Sequence, residues 1–215
     1  MAVAANANAL FTKDELRGDG VYAQTSPLGG ITGTDQDDMI QTLINRASDW
    51  VEAYCNRPFV ARAYADLRLP AQCSAYLRPT ATPIDITAAL TVSLDGTAQT
   101  VWKSESDGDP ALKDVVVVAD APGQPSVLYR HCGWQGSPPA PILLSYTGGY
   151  AFAALPGDLK DAALLVIQTL HRHWQNLAPY ESMPAGASGG TLAIRRDHIP
   201  MAAIATLDRY RLIPV

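Results

Sequence analysis

The hydrophobic period of this chain changes twice, and this change limits the folds that the chain can adopt. From Asp35 to Asn56, and again from Asp158 to Leu177, apolar residues recur at three- and four-residue intervals, which predicts two long amphipathic helices. Between them, over about 59–147, apolar and polar residues alternate in short runs separated by Pro and Gly, which predicts strands. The sequence therefore predicts an α+β fold: a helical unit formed by the N- and C-terminal segments, with an inserted antiparallel β region.

The first predicted helix has well-defined ends. Thr34 or Asp35 can cap it, and Asp37 and Asp38 lie in its first turn, where the helix dipole favours negative charge. Pro58 follows its end. Its apolar stripe predicts one buried side and consists of Met39, Ile40, Leu43, Ile44, Ala47, Trp50, Val51 and Tyr54.

The middle of the chain contains one strong hairpin signal. Asp95-Gly96 predicts a type I′ turn that follows a strand ending at Leu94, with a return strand through Ala98 to Trp102. An earlier alternating strand places Ala61, Ala63, Ala65, Leu67 and Leu69 on its apolar side. Further strands are predicted at Val115–Val118, Val127–Arg130 and Ile142–Tyr146.

The two ends of the chain differ from the middle. Residues 1–34 predict an extended N-terminal arm with one helical turn, because Thr12 and Glu15 form a capping box. Residues 35–182 are expected to form the core, with the β-rich insert at 59–147. Residues 183–215 predict a flexible linker and a C-terminal docking segment, with a short helix near 200–210.

Composition excludes several classes of function. Charged residues make up 17% of the chain and the net charge is −5, which argues against a basic surface for duplex DNA. No apolar run approaches the ~20 residues that span a bilayer, so no membrane association is expected. Cys55, Cys73 and Cys132 are too few for a four-cysteine zinc site and are expected to be reduced.

Catalytic and ligand-binding motifs are weak. Ser188 matches G-x-S-x-G but lacks the strand before it and the helix after it. His171 and His173 point to different helix faces, and Asp107-Gly108-Asp109 lacks the spacing of a calcium loop. The chain is therefore predicted to be neither an enzyme nor a cofactor protein. Two rival hypotheses are an esterase-like hydrolase using Ser188 and a carbohydrate-binding module using Tyr76, Trp102 and Trp134.

Two stretches of the sequence, in this order, resemble a known family. The first ends a helix with V-E-x-Y-x-x-R-x-F, at Val51–Phe59. The second is Y-T-G-G-Y at Tyr146–Tyr150, followed by L-P-x-D-L-K-x-A at Leu155–Ala162. With L-D-x-Y-R at Leu207–Arg211, the pattern resembles the head-to-tail connector (adaptor, or head-completion) proteins of tailed bacteriophages.

The resemblance implies a structural role in the virion. Such proteins form a ring, generally twelvefold, between the capsid portal protein and the next tail or neck protein. The ring extends the channel through which DNA passes without sequence-specific binding. The resemblance therefore implies assembly in the host cytoplasm and a final location in the neck. The alternative within structural proteins is another neck or tail component, such as a stopper or tail terminator.

The resemblance also suggests contact residues. The C-terminal segment of the family engages the portal, and deletion of residues 191–215 is expected to abolish portal attachment while the subunit stays folded. Residues 1–60 carry a net charge of −4 and residues 195–215 of +2, which allows electrostatic registry between partners. The portal-binding candidates are Arg195, Arg196, Tyr210, Arg211, Leu212, Ile213, Pro214 and Val215. The subunit-interface candidates are Asp35, Asp37, Asp38, Trp50, Arg57 and Trp174, although both tryptophans are expected mainly in the core.

Overall fold

The structure is a computed structural model that describes residues 3–17, 37–121, 124–136, 142–177 and 199–212. The chain forms two compact units. One comprises Met1–Asn56 and Leu155–Val215, and the other comprises Arg57–Ala154. The first is helical and the second is built of strands, so the predicted α+β fold class is confirmed.

The helical unit contains four described helices. These are α1 (Lys13–Leu16), α2 (Asp37–Cys55), α3 (Gly157–Leu177) and α4 (Met201–Asp208). The capping box predicted for α1 is present: the Glu15 backbone N–H donates to Thr12 Oγ1, and the Thr12 N–H donates to Glu15 Oε2. Thr34 and Asp35, the predicted caps of α2, lie outside the described residues.

The buried side of α2 is shifted from the predicted stripe. Trp50 is half-buried, so its expected place in the core is wrong, whereas the polar Gln41 and Ser48 are buried. The reason is the N-terminal arm, which covers that side of α2; the Leu10 N–H donates to Ser48 Oγ over 3.1 Å. The side chain of Trp174 lies outside the described part of α3.

The β unit contains two four-stranded sheets. The first has the order β1-β8-β3-β4 and the second has the order β2-β7-β6-β5. Their bounds are β1 Arg62–Leu69, β2 Tyr76–Leu77, β3 Thr91–Leu94, β4 Thr97–Gln99, β5 Val101–Trp102, β6 Val115–Ala121, β7 Gln124–Tyr129 and β8 Ile142–Gly148. The buried core draws on both sheets and includes Leu77, Val92, Val115, Val117, Leu128, Trp134, Ile142, Leu144 and Tyr146.

The predicted hairpin at Asp95-Gly96 is confirmed, with φ values of 48° and 80° as a type I′ turn requires. The return strand, however, does not continue to Trp102 in the same sheet. The chain leaves at Thr100, whose N–H and hydroxyl both bond to Asp114, and Val101–Trp102 then pairs parallel with β6. The other described strand pairs of the β unit are antiparallel.

Strand β1 contradicts part of the predicted alternation. Ala63 and Ala65 are exposed, while Tyr64 is half-buried. The register with β8 shifts between Tyr64 and Leu67, where Asp66 has a φ of 50°. Because an extra residue in one strand reverses the side that each following residue faces, only Leu67 and Leu69 face the core as predicted.

The two glycines of the Y-T-G-G-Y motif have structural roles. A Cβ on Gly148 would lie 2.4 Å from the Ala81 carbonyl oxygen, and Gly149 has a φ of 107°. Beside them, the Tyr150 N–H donates to the Phe59 carbonyl over 2.6 Å. The motif therefore allows β8 to approach two neighbouring segments closely.

Candidate functional site

The predicted docking residues Tyr210, Arg211 and Leu212 are attached to the ends of two helices. The Leu212 N–H donates to the Cys55 carbonyl at the end of α2 over 2.8 Å. The Tyr210 hydroxyl donates to Asp158 in the first turn of α3 over 2.6 Å. We call these contacts, together with those that Tyr54 makes with Asp208 and Arg211, the C-terminal clasp.

Tyr54 is the centre of the clasp. Its hydroxyl donates to Asp208 over 2.6 Å. Its ring stacks on Trp50 at a centroid distance of 5.2 Å, and the Arg211 guanidinium lies 5.5 Å from its centroid. Trp50 and Arg211, which the sequence assigned to different interfaces, therefore contact the same tyrosine.

Helix α4 connects the clasp to the core. Ile199, Ala203, Ile204 and Leu207 are buried, and the Cys55 thiol donates to the Leu207 carbonyl over 3.5 Å. Residues 199–212 thus belong to the folded helical unit, not to a flexible tail. This burial contradicts the expectation that the subunit stays folded without residues 191–215, because their removal would uncover the core.

Several predicted residues lie outside the described part of the chain. In the C-terminal region these are Ser188, Arg195, Arg196, Ile213, Pro214 and Val215, and in the N-terminal region Asp35. The portal and interface roles given to these residues, and the catalytic role that the esterase hypothesis gives to Ser188, stay predictions.

The N-terminal arm follows α2 through polar contacts. The Val3 N–H donates to Asp38 over 2.8 Å, and the Asn6 N–H donates to Asn45 over 3.0 Å. The Asn8 amide donates to Asp49 over 2.6 Å and to Glu52 over 3.1 Å. The arm ends in the buried side chains of Leu10, Phe11 and Leu16. Asp38, predicted to meet a neighbouring subunit, therefore has a partner within its own chain.

Three ion pairs attach the end of the arm to the two long helices. Arg17 and Lys13 both contact Asp37, and the hydrogen bond from Arg17 holds the pKa of Asp37 below its ordinary value despite burial. Lys160 of α3 lies 2.8 Å from Glu15. Burial raises the pKa of Glu15, but the hydrogen bonds from Lys160 and Thr12 outweigh it, and the net shift is downward.

Arg57 belongs to the β unit. Its guanidinium donates to the Thr82 carbonyl and lies 5.2 Å from the centroid of the Phe59 ring. These contacts fix Arg57 at the start of the β unit. Its contact with a neighbouring subunit stays a prediction.

The histidine and aspartate residues considered as metal ligands have other surroundings in the structure. Among the described residues, no three or more His, Cys, Asp or Glu form a cluster able to hold a metal ion. His171 is buried, and burial lowers its pKa, which favours the neutral imidazole. The carboxylates of Asp107 and Asp109 instead cap turns, accepting from the Lys103 and Ala111 N–H groups over 2.7 and 2.8 Å. No described helix is long and apolar enough to cross a membrane.

The predicted carbohydrate platform does not form. Trp134 is fully buried, with its indole N–H donating to the Ala75 carbonyl over 3.1 Å. Trp102 is half-buried and donates to the Gly108 carbonyl. Of the three proposed aromatic residues, only Tyr76 is well exposed, at 57%.

Comparison with known proteins confirms the resemblance seen in the sequence. Residues 28–99 match the model of the family described as "Phage gp6-like head-tail connector protein". No curated protein matches the chain.

A solved structure from a gene transfer agent (GTA) particle shares this fold. A chain from the neck of the native particle, computed with C12 symmetry, has a TM-score of 0.51 and 16% identity, covering 100% of this chain and 94% of that one. A chain from the neck of the empty particle, computed with C6 symmetry, has a TM-score of 0.47 and 17% identity, covering 100% and 95%.

Proposed function

We infer that this chain is a head-to-tail connector protein, a structural component of the neck of a phage-like particle. The observation that carries this inference is the match of residues 28–99 to the connector family, within a fold that this chain shares over its whole length with a neck protein. The function is mechanical: the chain joins a capsid to a tail, and no catalytic step is required of it.

The proposed assembly is a ring of identical subunits. Twelve copies surround the DNA channel, bind the portal protein on one side, and offer a surface to the next neck or tail protein on the other. The C12 symmetry of the related neck supports this number. The net charge of −5 suits a channel that must release its DNA, because few cationic groups are present to hold phosphates.

The C-terminal clasp supports a portal contact at the end of the chain. It fixes Leu212 to Cys55 and Tyr210 to Asp158, so residues 213–215 start from a defined position on the helical unit. A docking segment that starts from a fixed point loses less conformational entropy on binding than one on a long tether.

The proposal is tested by co-sedimentation of the full chain with its portal protein. We expect the parent to sediment with portals, and both an Arg211→Ala variant and a chain ending at Leu212 to bind at least tenfold more weakly. Arg172→Ala is the matched control, since it removes one exposed positive charge from α3 without touching the clasp. Failure of the parent to bind would overturn the connector function, and full binding by both variants would move the portal contact elsewhere.

The rival functions have less support. Ser188 lies outside the described residues, so the esterase hypothesis gains no geometry from the structure. A stopper or tail terminator would be expected to have a smaller β-barrel architecture, which the 19-residue α2 and the 21-residue α3 do not favour.

A further inference from the structure

The loop between β5 and β6 is held in place by its own hydrogen bonds. Its two ends are joined by the Asp114 carboxylate, which accepts from the N–H and the hydroxyl of Thr100 over 2.8 and 2.7 Å. Within the loop, the Trp102 indole N–H donates to the Gly108 carbonyl over 2.9 Å. Because the loop is already ordered, it loses little conformational entropy when it binds another surface.

The tip of this loop exposes three consecutive apolar residues. Pro110, Ala111 and Leu112 form a short 3-10 turn, which the Asp109 carboxylate caps by accepting from the Ala111 N–H over 2.8 Å. All three residues are exposed, and Leu112 is 81% exposed. Single exposed apolar residues are common in folded proteins, but an ordered run of three is expected where the run has a function. We call Pro110–Leu112 the apolar knob.

A groove lies elsewhere on the same unit. It has a volume of about 310 Å³ and is lined by Tyr76, Arg78, Val118, Ala119 and Val127. Three of these side chains are aliphatic, and Tyr76 adds an aromatic ring that is 57% exposed. The loop ends where β6 begins at Val115, whereas the groove residues Val118 and Ala119 lie about 10 Å or more further along that strand. The groove is thus a surface distinct from the knob.

The knob does not fill the groove of its own chain. Leu112 is absent from the lining of the groove, and a leucine seated in it would be largely covered instead of 81% exposed. Each copy of the chain therefore presents an apolar projection and an apolar recess on two different surfaces.

A ring makes use of two such surfaces. Closed rings of more than two identical copies need heterologous contacts, in which one surface of a subunit meets a different surface of the next. A contact between the knob of one copy and the groove of the next would repeat at every junction and would cover every exposed Leu112. Burial of that side chain would stabilise the junction without requiring any charged group.

We propose that the apolar knob of each copy docks in the groove of the next copy of this chain. The proposal rests on the ring described under the proposed function and names one of its lateral contacts.

Four glutamine substitutions form two matched pairs that test this contact. Leu112→Gln makes the tip of the knob polar, and Met201→Gln makes a similar change at an apolar residue of α4 that is 76% exposed. Ala119→Gln lengthens a side chain in the groove, and Ala202→Gln does the same on α4. All four residues are exposed, so the variants should fold, which circular dichroism checks. Glutamine is uncharged, so the net charge of the chain does not change.

Self-association is measured by sedimentation velocity over a concentration series, and rings on portals are counted by electron microscopy. We expect Leu112→Gln and Ala119→Gln each to need at least tenfold more protein than the parent to associate and to form fewer rings. Met201→Gln and Ala202→Gln should assemble like the parent. Parent-like assembly of either folded test variant, or an equal loss in its control, would overturn the proposal. Normal rings of Leu112→Gln that no longer bind the next tail protein would also overturn it, since a different protein would then cover the knob.

A mixture of the two test variants probes the pairing of the two surfaces. The Leu112→Gln copy keeps a native groove and the Ala119→Gln copy keeps a native knob, so one native contact can form between them. We expect the mixture to form dimers at concentrations where neither variant associates alone. A mixture that associates no more than its components would overturn the pairing of knob with groove.

Co-sedimentation of the parent with portals separates this contact from the connector function. If the parent binds portals and the test variants form rings on them as well as the parent does, only the knob contact is overturned. If the parent neither binds portals nor forms rings, the connector function is overturned with it.

Discussion

The two units of the molecule are stabilised in different ways. In the β unit the two sheets enclose an apolar core around Trp134, and the carboxylates of Asp85, Asp107 and Asp109 cap turns within four residues of themselves. In the helical unit, carboxylates join segments that are distant in sequence, such as Glu15 with Lys160. The β unit thus resembles a self-contained scaffold, whereas the helical unit depends on polar contacts from both ends of the chain.

The largest effect is expected in the β core. Trp134→Ala removes a fully buried indole and its hydrogen bond to Ala75, and we expect it to lower the free energy of unfolding by about 3–5 kcal/mol. Urea denaturation followed by circular dichroism measures this loss. Tyr76→Ala, on the exposed face, is the control and should change stability by under about 1 kcal/mol. Equal losses for both variants would show that the core is not centred on Trp134.

A somewhat smaller effect is expected where α4 enters the helical unit. Leu207→Ala removes a fully buried side chain, and we expect a loss of about 2–4 kcal/mol in the same denaturation experiment. Thr206, its half-buried neighbour, offers the control Thr206→Ala, which should cost much less. A negligible effect of Leu207→Ala would mean that α4 does not contribute to the core of the helical unit.

The Glu15–Lys160 pair tests the polar attachment of the arm. Glu15→Gln should cost about 1–2 kcal/mol at neutral pH, because it weakens a charge-assisted hydrogen bond between side chains that are only 19% and 15% exposed. Asp14→Asn is the control, since the Asp14 side chain is 85% exposed. Similar stability of the two variants would contradict a structural role for the pair.

The same pair predicts a dependence on pH. The pKa of Glu15 is lower in the folded chain than its ordinary value of 4.5. The stabilisation is therefore complete above that value and is lost as the pH falls through the folded pKa. We expect thermal melts to show a shallower acid destabilisation for Glu15→Gln than for the parent; an identical acid profile would exclude Glu15 as a contributor.

The smallest effect is expected in the C-terminal clasp. Tyr54→Phe deletes the hydroxyl that bonds to Asp208 and keeps the stacked ring, so we expect a loss of about 1 kcal/mol. Tyr210→Phe makes the equivalent deletion against Asp158. Chemical denaturation of the single and double variants measures both losses. Stability equal to that of the parent in the double variant would show that the clasp does not hold the chain end.

The sequence predicted the features that depend on nearby residues. The periodicity of α2 and α3, the Thr12–Glu15 capping box and the Asp95-Gly96 turn each involve a few positions, and all are confirmed. The resemblance to connector proteins was carried by motifs whose roles are structural, such as the closely packed Gly148 and Gly149.

The features that were missed depend on residues far apart in the chain. Nothing local distinguishes the Tyr54 that bonds to Asp208, 154 residues away. The bulge near Asp66 and the change of sheet at Thr100 are fixed by partners on other strands. The four consecutive valines at 115–118 predicted a strand, but only the register with β7 and the burial of Val115 and Val117 show which side of that strand faces the core.

The central claim is that many copies of this chain close into a ring on a portal. Cryo-electron microscopy of the purified chain mixed with its portal protein tests this claim most directly. We predict a ring made of copies of this chain at one end of the portal. Bare portals beside dispersed single copies would contradict it.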